Sequence, residues 1–360
     1  MSTPQPPYKI RSLHGSEVEA FLDHLSTVFG AVGAPRGLFS DHWYNNPHKS
    51  LDGVIVAVAG EDEQIVSSMQ VYRRELKLQH GRYISIGAIG DVATHPAHRG
   101  KGLASHVMTR AETYMLANHL SLAVLHAAPL AVPLYEKLGY RILPMKMSVL
   151  HLPAQDPQDP PGWIRWSGAV DFENTDHVDV MTVLHQRLAP PGTFRRTAAY
   201  WNQWVRPKSN DTRWKIVKLL AQGQVNGRPA AAYLFLGFPL HEAKVTVFEF
   251  FCGFTSPNGI EEPFPPQHQE SVLRHLIKSA FDLAATELKT QDVEVSIASS
   301  LLPTPCDIPS HVEVDKSWLF KWLGNCSAEG KDGQKTQIGV VEDLFHEIGP
   351  EYSFCKTDAF

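Results

Sequence analysis

The sequence predicts a mixed α+β protein made of two similar halves, each a twisted, mostly antiparallel sheet flanked by helices. The chain has 360 residues, which exceeds the usual size of a single hydrophobic core. The first half gives the order β-α-α-β-β-β-α-β-α-β, a mixed series typical of one central sheet with helices on its faces. The second half repeats two helices, three strands, a helix and a strand, which predicts a duplicated fold.

A proline-rich segment near the middle of the chain marks a boundary between two predicted domains. Residues 153–163 include four prolines and lack a hydrophobic period, which indicates a linker. We therefore predict a disordered tail over 1–7, a first domain over 8–152 and a second domain over 164–360.

The spacing of apolar residues predicts the helices and strands of the first half. Apolar residues recur at helical spacing over 16–30, with Ser16 as the expected N-cap. A shorter helix over 39–46 ends before Pro47. Further helices are predicted at 103–118 and 130–138. Strands are predicted at 8–13, 53–59, 64–78, 83–94, 120–127 and 142–152.

The second half is assigned by the same rules. Helices are predicted at 178–188, 194–205, 267–288 and 317–323. Strands are predicted at 214–220, 230–238, 245–254, 293–298 and 337–341.

Charge and targeting features exclude several classes of protein. The formal net charge is -5, which argues against a nucleic-acid partner. The N-terminus lacks a secretory signal pattern, and no apolar run is long enough to span a membrane, so we expect no membrane association. The four cysteines lack the spacing of a zinc site and favour a reducing, cytoplasmic location, with a nuclear pool left open. His95 and His98 form an HxxH pair that we interpret as turn residues, so no metal is expected.

The segment 87–105 carries the strongest chemical signal. A predicted strand ends before Pro96, and a turn with Arg99 and Lys101 then delivers Gly100 and Gly102 to the start of a helix. Glycine lets the backbone approach a ligand closely, and a helix N-terminus favours an anion such as a pyrophosphate. The segment fits neither GxGxxG nor GxxxxGK[ST], which excludes the two commonest nucleotide-binding patterns.

Two motifs in this region resemble a known superfamily. Arg99-Gly-Lys-Gly-Leu-Ala104 fits the R-x-x-G-x-A acyl-CoA signature of the GNAT acetyltransferases, and the preceding Val-Ala-Thr-His-Pro resembles their pantetheine-binding strand. Downstream, Leu-Tyr-Glu-Lys-Leu-Gly-Tyr140 resembles their second signature, LYEKxGF. The resemblance covers residues 8 to 150.

Within that superfamily, the first half is most similar to the Eis-like acetyltransferases, which contain two GNAT-like domains. The cues are the long first helix, the Trp43-centred second helix and the VATHPxxRGKGLAS run. The second half has no R-x-x-G-x-[GA] motif, so it is expected to be a degenerate copy that does not bind the cofactor. The chain has little room for the sterol-carrier-like domain of Eis proteins. The resemblance also implies assembly into homo-oligomers.

The resemblance implies acetyl-CoA as co-substrate and a set of residues that bind it. The strand residues would pair with pantetheine and the turn residues would hold the pyrophosphate, with a hydroxyl from Ser105. The expected cofactor-binding residues are Val92, Ala93, Thr94, Arg99, Gly100, Lys101, Gly102, Leu103, Ala104 and Ser105.

Three groups are candidates for catalysis. Tyr135 matches the superfamily tyrosine that protonates the departing thiolate, a reasonable role for a phenol with a pKa of about 10. The base that deprotonates the amine is left open between Asp91, acting through water, and the C-terminal carboxylate of Phe360. The second alternative follows from the Eis-like enzymes, in which the chain end returns to the active site.

The leading prediction is an N-acetyltransferase that acts on a primary amine of a small molecule or free amino acid, such as a polyamine, lysine or an amino-sugar. Phe39, Trp43, Tyr44 and Tyr72 are expected at the wall of the acceptor pocket. Two alternatives stay open: acetylation of a protein lysine or N-terminus, and a non-catalytic acyl-CoA sensor.

Overall fold

The computed structural model describes residues 8–152, 163–206, 214–239, 245–256, 259–284, 293–324, 326–329 and 335–338. Over these ranges the protein contains two mostly antiparallel sheets flanked by helices, which confirms the predicted fold class. None of the helices described combines the length and the apolar character needed to cross a bilayer. The predicted tail over 1–7 lies outside the described residues.

The first sheet is formed mainly by the first half. Its strands from this half are β1 (Lys9–Ser12), β2 (Val54–Ala59), β3 (Gln64–Lys77), β4 (Tyr83–Thr94), β5 (Leu122–His126) and β6 (Arg141–Ile142). The helices are α1 (Val18–Phe29), α2 (Arg36–Tyr44), α3 (Leu103–Ala117) and α4 (Val132–Lys137). Strands β1 to β4 pair antiparallel in sequence order, whereas β4 and β5 run parallel.

The second sheet repeats this plan. Its strands are β7 (Met145–Leu152), β8 (Trp163–Ala169), β9 (Trp214–Val225), β10 (Arg228–Pro239), β11 (Val245–Ser256), β12 (Gly259–Pro263), β13 (Val293–Ala298) and β14 (Ser310–Asp315). The helices are α5 (Thr175–Leu188), a π-helical segment (Tyr200–Val205) and α6 (Pro266–Ala284). The chain continues through β15 (Trp318–Trp322), β16 (Cys326–Glu329) and β17 (Lys335–Ile338). Here β11 and β13 form the parallel pair.

The two sheets exchange strands. The first has the order β1-β2-β3-β4-β5-β15-β6, with β16 paired to β4 and β17 paired to β16. The second has the order β14-β7-β13-β11-β10-β9-β8, with β12 paired to β11. Strand β15 thus lies between β5 and β6, and β7 lies between β13 and β14. The domain limits 8–152 and 164–360 stay a prediction, but each sheet draws strands from both segments.

The largest hydrophobic cluster joins the two halves. One face of β3 and β4, including Tyr72 and Ile86, packs against Trp201 and Trp204 of the π-helical segment and against the second sheet. The opposite face of the first sheet packs on α3. The inner face of β3 is therefore a boundary between the two halves.

The predicted helix at 317–323 is wrong, because this segment forms strand β15. Trp318 and Phe320 face the cluster between the halves, and Leu319 faces the α3 side. A strand buried on both faces has a continuous apolar sequence, which hydrophobic period cannot distinguish from a short buried helix.

Three other assignments differ locally. The single strand expected over 142–152 is split into β6 and β7 at Leu143 and Pro144. The helix predicted over 194–205 begins only after residue 197, since Phe194 bridges to Leu76 on the edge of β3. Ser16 is not an N-cap, because a 3₁₀ turn over Gly15–Glu17 precedes α1.

The burial of His24 predicts that the free energy of unfolding depends on pH. This side chain is buried on α1, and burial lowers its pKa from 6.5 to about 4. Below pH 6.5 the unfolded chain binds a proton that the folded protein does not, so stability falls as the pH drops towards 4. Between pH 7 and pH 5 this term removes about 2 kcal/mol of the free energy of unfolding.

We expect His24→Leu to reduce the loss of unfolding free energy between pH 7 and pH 5, which urea unfolding at the two pH values measures. The exposed His106 provides the control variant, His106→Gln, which should keep the wild-type difference. An unchanged difference in His24→Leu would contradict the assignment.

Candidate active site

A wedge opens between the parallel strands of the first sheet. Strand β4 pairs with β5 only from Gly87 to Ile89, although it stays paired with β3 as far as Thr94. The amide of His95 donates to the carbonyl of Val66 across β3, so by alternation the backbone groups of Thr94 point towards the wedge. This unpaired strand edge can accept an extended ligand as an added strand.

A turn with an exposed backbone follows β4. Gly100 and Gly102 adopt φ values of 75° and 74°, where a side chain would be strained. Gly102 is the N-cap of α3, and the amides from Gly100 to Ser105 have no hydrogen-bond acceptor among the described residues. A Cβ atom at Gly100 would meet nothing within 4 Å. The turn is therefore an open set of N–H donors at the positive end of a helix.

Basic side chains surround this turn. Arg99 Nε donates to the carbonyl of Thr94 at 3.2 Å, and Lys101 Nζ donates to the Tyr8 hydroxyl at 3.0 Å. The Tyr8 hydroxyl also lies 3.0 Å from Nδ1 of His98. In the described ranges no group of three Asp, Glu, His or Cys side chains is arranged to hold a metal ion.

Tyr135 lies on α4, on the α3 face of the first sheet. Its side chain belongs to the cluster that contains Leu103 at the start of α3, and Val92 packs against the same cluster. Burial raises the pKa of Tyr135 to about 12, so the phenol stays protonated at neutral pH. It is therefore able to donate a proton on the α3 side of the sheet.

Asp91 lies at a bulge in β4, on the opposite face. Its φ is 53°, and the register between β3 and β4 shifts at this point. Tyr72 on β3 donates its hydroxyl to Oδ2 of Asp91, and Nδ1 of His42 lies 3.4 Å from Oδ1. All three side chains are buried. Burial, followed by the charge of Asp91, holds the pKa of Tyr72 well above its usual value.

The second half completes this site. The indole ring of Trp204 stacks on His42 with centroids 5.4 Å apart, and it lies 5.3 Å from the ring of Tyr72. The Asp91–His42 pair is thus enclosed between β3, α2 and the π-helical segment.

The structure separates the candidate residues into two groups. Asp91 and Tyr72 lie on the face that meets the second half, whereas Tyr135 lies on the α3 face. Phe39 and Trp43 are core residues of the α1–α2 layer, and Tyr44 is half exposed and bonded to Glu19. Phe360 lies outside the described residues, so its role as a base stays a prediction.

The sequence analysis missed His42 and Trp204. The available signal for His42 was its place on α2 between the aromatic residues assigned to the pocket wall. Trp204 gave no signal, since its contact with His42 depends on the packing of the two halves.

A family model matches the first half of the chain. Residues 9–143 match the family model described as an acetyltransferase (GNAT) domain. Comparison with curated protein sequences gives no match.

Solved structures show the same fold at low sequence identity. A GCN5-related N-acetyltransferase from Kribbella flavida aligns with a TM-score of 0.57 at 13% identity, over 89% of this chain and 72% of that chain. Eis1 from Mycobacterium abscessus aligns with a TM-score of 0.55 at 14% identity, over 88% and 74% of the two chains. Saccharomyces cerevisiae N-myristoyltransferase, solved with bound myristoyl-CoA, aligns with a TM-score of 0.50 at 11% identity, over 94% and 91%. Both halves of the chain therefore take part in the shared fold.

Proposed function

We propose that the protein transfers an acetyl group from acetyl-CoA to a primary amine of a small molecule. One observation carries the proposal: the turn over residues 100–105 offers a row of amides without acceptors next to the open wedge between β4 and β5. The first feature fits a pyrophosphate, and the second fits a pantetheine arm that pairs like a strand.

The residues present fit acetyl-CoA once the Arg99 side chain, which donates to the carbonyl of Thr94, turns from the strand edge towards the pyrophosphate. Space at Gly100 is open, Lys101 and Arg99 supply positive charge, and the edge at Val92 and Thr94 is unpaired. In this proposal the turn and the edge strand hold the co-substrate along the wedge, which connects the two faces of the sheet.

We assign the two proton transfers to side chains on opposite faces of the first sheet. The amine nitrogen attacks the thioester carbonyl carbon, the C–S bond breaks, and the departing thiolate takes the phenolic proton of Tyr135. On the other face, Asp91 accepts a hydrogen bond from Nδ1–H of His42, so Nε2 of His42 is left with a lone pair that can take the proton of the amine. Asp91 would then orient the base instead of acting as the base itself.

An enclosed acceptor site favours a small molecule over a protein. The Asp91–His42 pair is buried beneath Trp204, and such burial suits a small acceptor better than the surface of a folded protein. The decisive experiment is thiol release from acetyl-CoA with a panel of free amines and lysine peptides, together with calorimetric titration of CoA. Turnover of free amines is expected. Turnover of peptides alone would overturn the acceptor assignment, and CoA binding without turnover would indicate a sensor.

We expect Gly102→Val to weaken CoA binding about 10-fold. A side chain at this φ costs about 1–2 kcal/mol, and its relief would rotate the amides at the start of α3 away from the anion. Calorimetric titration measures the affinity. Gly60 has a similar φ of 75° in the β2–β3 turn, so Gly60→Val is a control with the same strain away from the site. Equal affinities in the two variants would contradict the placement of the pyrophosphate.

A further inference from the structure

The inner face of β3 carries buried polar groups that lack hydrogen-bond partners. Ser68, Gln70, Tyr72 and Arg74 alternate along this face and are each at most 3% exposed. Among the described residues, Oγ of Ser68, both amide atoms of Gln70, and Nε and Nη2 of Arg74 have no partner. Folded proteins satisfy nearly all buried polar atoms, so a row of unsatisfied atoms beside Asp91 points to polar partners that the described residues do not supply.

Arg74 is the most unusual member of this row. Nη1 donates to Oδ1 of Asn46 at 3.1 Å and to the carbonyl of Arg73 at 2.9 Å, but no carboxylate among the described residues pairs with the guanidinium. Burying a cation without a counter-charge lowers the stability of the folded protein, because the cation loses its hydration.

Aromatic rings compensate for only part of this cost. The guanidinium carbon lies 4.5 Å from the ring centre of Trp204, 5.2 Å from that of Tyr200 and 5.3 Å from that of Tyr72. Such contacts use the flat faces of the rings and leave the N–H edge with Nε and Nη2 unused. That edge has the fork geometry that binds carboxylate and phosphate groups with two parallel hydrogen bonds.

A cavity of about 420 Å³ adjoins Arg74. It lies at the edge of β3 and is also lined by Lys49, Arg73 and Arg195, with Glu75 as the carboxylate among its lining residues. Glu75 is already paired with Arg195. The excess of positive charge favours an anion at this position, and the size suits part of a small molecule.

The cationic site and the acceptor site share one wall. Trp204 contacts His42 and Arg74, and the ring of Tyr72 separates Arg74 from Asp91. We propose that the acceptor amine carries an acidic group, a carboxylate or a phosphate, which Arg74 binds while the amine reaches the Asp91–His42 pair. This inference rests on the proposed function and narrows its substrate class to amines that also bear an anion.

Matched amines test this proposal. The pairs are L-lysine with 1,5-diaminopentane, L-ornithine with 1,4-diaminobutane, and O-phosphoethanolamine with ethanolamine. The acid-bearing member of at least one pair is expected to have a kcat/KM higher by about 10²-fold, because the analogue leaves buried donors unpaired. The first two pairs report a carboxylate and the third a phosphate. Equal or faster turnover of the members without an acid, or no turnover of any acid-bearing amine, overturns the proposal.

Variants of Arg74 distinguish recognition from a structural role. Arg74→Gln is expected to raise KM for the acid-bearing amine about 10²-fold, and Arg74→Lys about 10-fold, since lysine keeps the charge but loses the fork. The kcat/KM of the amine without the acid should fall by a smaller factor, because Arg74 also packs against Tyr72 and Trp204, so the preference for the acid-bearing amine should narrow. The exposed Arg141 gives the control variant Arg141→Gln, which should behave as wild type. A fall in melting temperature with equal losses for both amines would mean that Arg74 only stabilises the fold.

Calorimetric titration of CoA separates the two proposals. A wild-type protein that does not bind CoA refutes the proposed function. A protein that binds CoA and acetylates amines, but whose preference does not change in Arg74→Gln, refutes this inference alone.

Discussion

Replacing Arg196 by methionine is expected to lower the free energy of unfolding by about 3–5 kcal/mol. Arg196 and Glu249 form an ion pair in which both side chains are completely buried. Glu249 also accepts a hydrogen bond of 3.0 Å from the Tyr233 hydroxyl. Loss of the guanidinium removes one charged partner of a completely buried carboxylate. Urea unfolding at neutral pH measures the loss.

The neighbouring residue supplies a matched control. Arg195 pairs with Glu75, but both side chains are more than two-fifths exposed, so Arg195→Met should cost less than about 1 kcal/mol. The double variant Arg196→Met/Glu249→Leu should recover part of the stability, because an apolar pair replaces the ions while the buried Tyr233 hydroxyl loses the Glu249 acceptor. A single-variant loss below about 1 kcal/mol would show that the buried pair does not stabilise the folded state by the expected amount.

Local sequence patterns were enough to predict most of the first sheet. Strands β2 to β4 alternate or are continuously apolar, and α1 and α3 have clear helical spacing, so each element is specified by its own residues. The turn from Pro96 to Gly102 was also predictable, because glycine and proline restrict the backbone locally.

The exchange of β7 and β15 between the sheets could not be predicted from the sequence. Which strand lies beside β5 depends on contacts between residues almost 200 positions apart, such as Val124 with Phe320. Hydrophobic period carries no information about such a partner, and it assigned the residues of β15 to a helix.

Some residues of the candidate site were likewise predictable from local sequence, and others were not. Tyr135 and Asp91 were found because they lie in or beside motifs of the first half. His42 and Arg74 acquire their roles only when Trp204 of the second half packs over β3. One local signal was available for Arg74: two consecutive arginines within an alternating strand require one of them to face inward.

Asp91→Asn is expected to lower kcat by about 10²-fold or more. The carboxylate accepts from Nδ1 of His42 and so leaves Nε2 free to take a proton. An amide can instead donate to Nδ1, which places the proton on Nε2 and removes the base. Thiol release at saturating amine and acetyl-CoA measures kcat.

The substitution should leave the fold intact. Asparagine tolerates the positive φ of residue 91 at least as well as aspartate, and its amide oxygen can still accept the Tyr72 hydroxyl. CoA affinity and melting temperature should therefore stay close to wild type. If Asp91 acts through His42, then His42→Gln should lose as much activity, and the double variant should lose no more than either single one. An unchanged kcat in Asp91→Asn would refute the pair as the proton acceptor and direct the search to the carboxylate of Phe360.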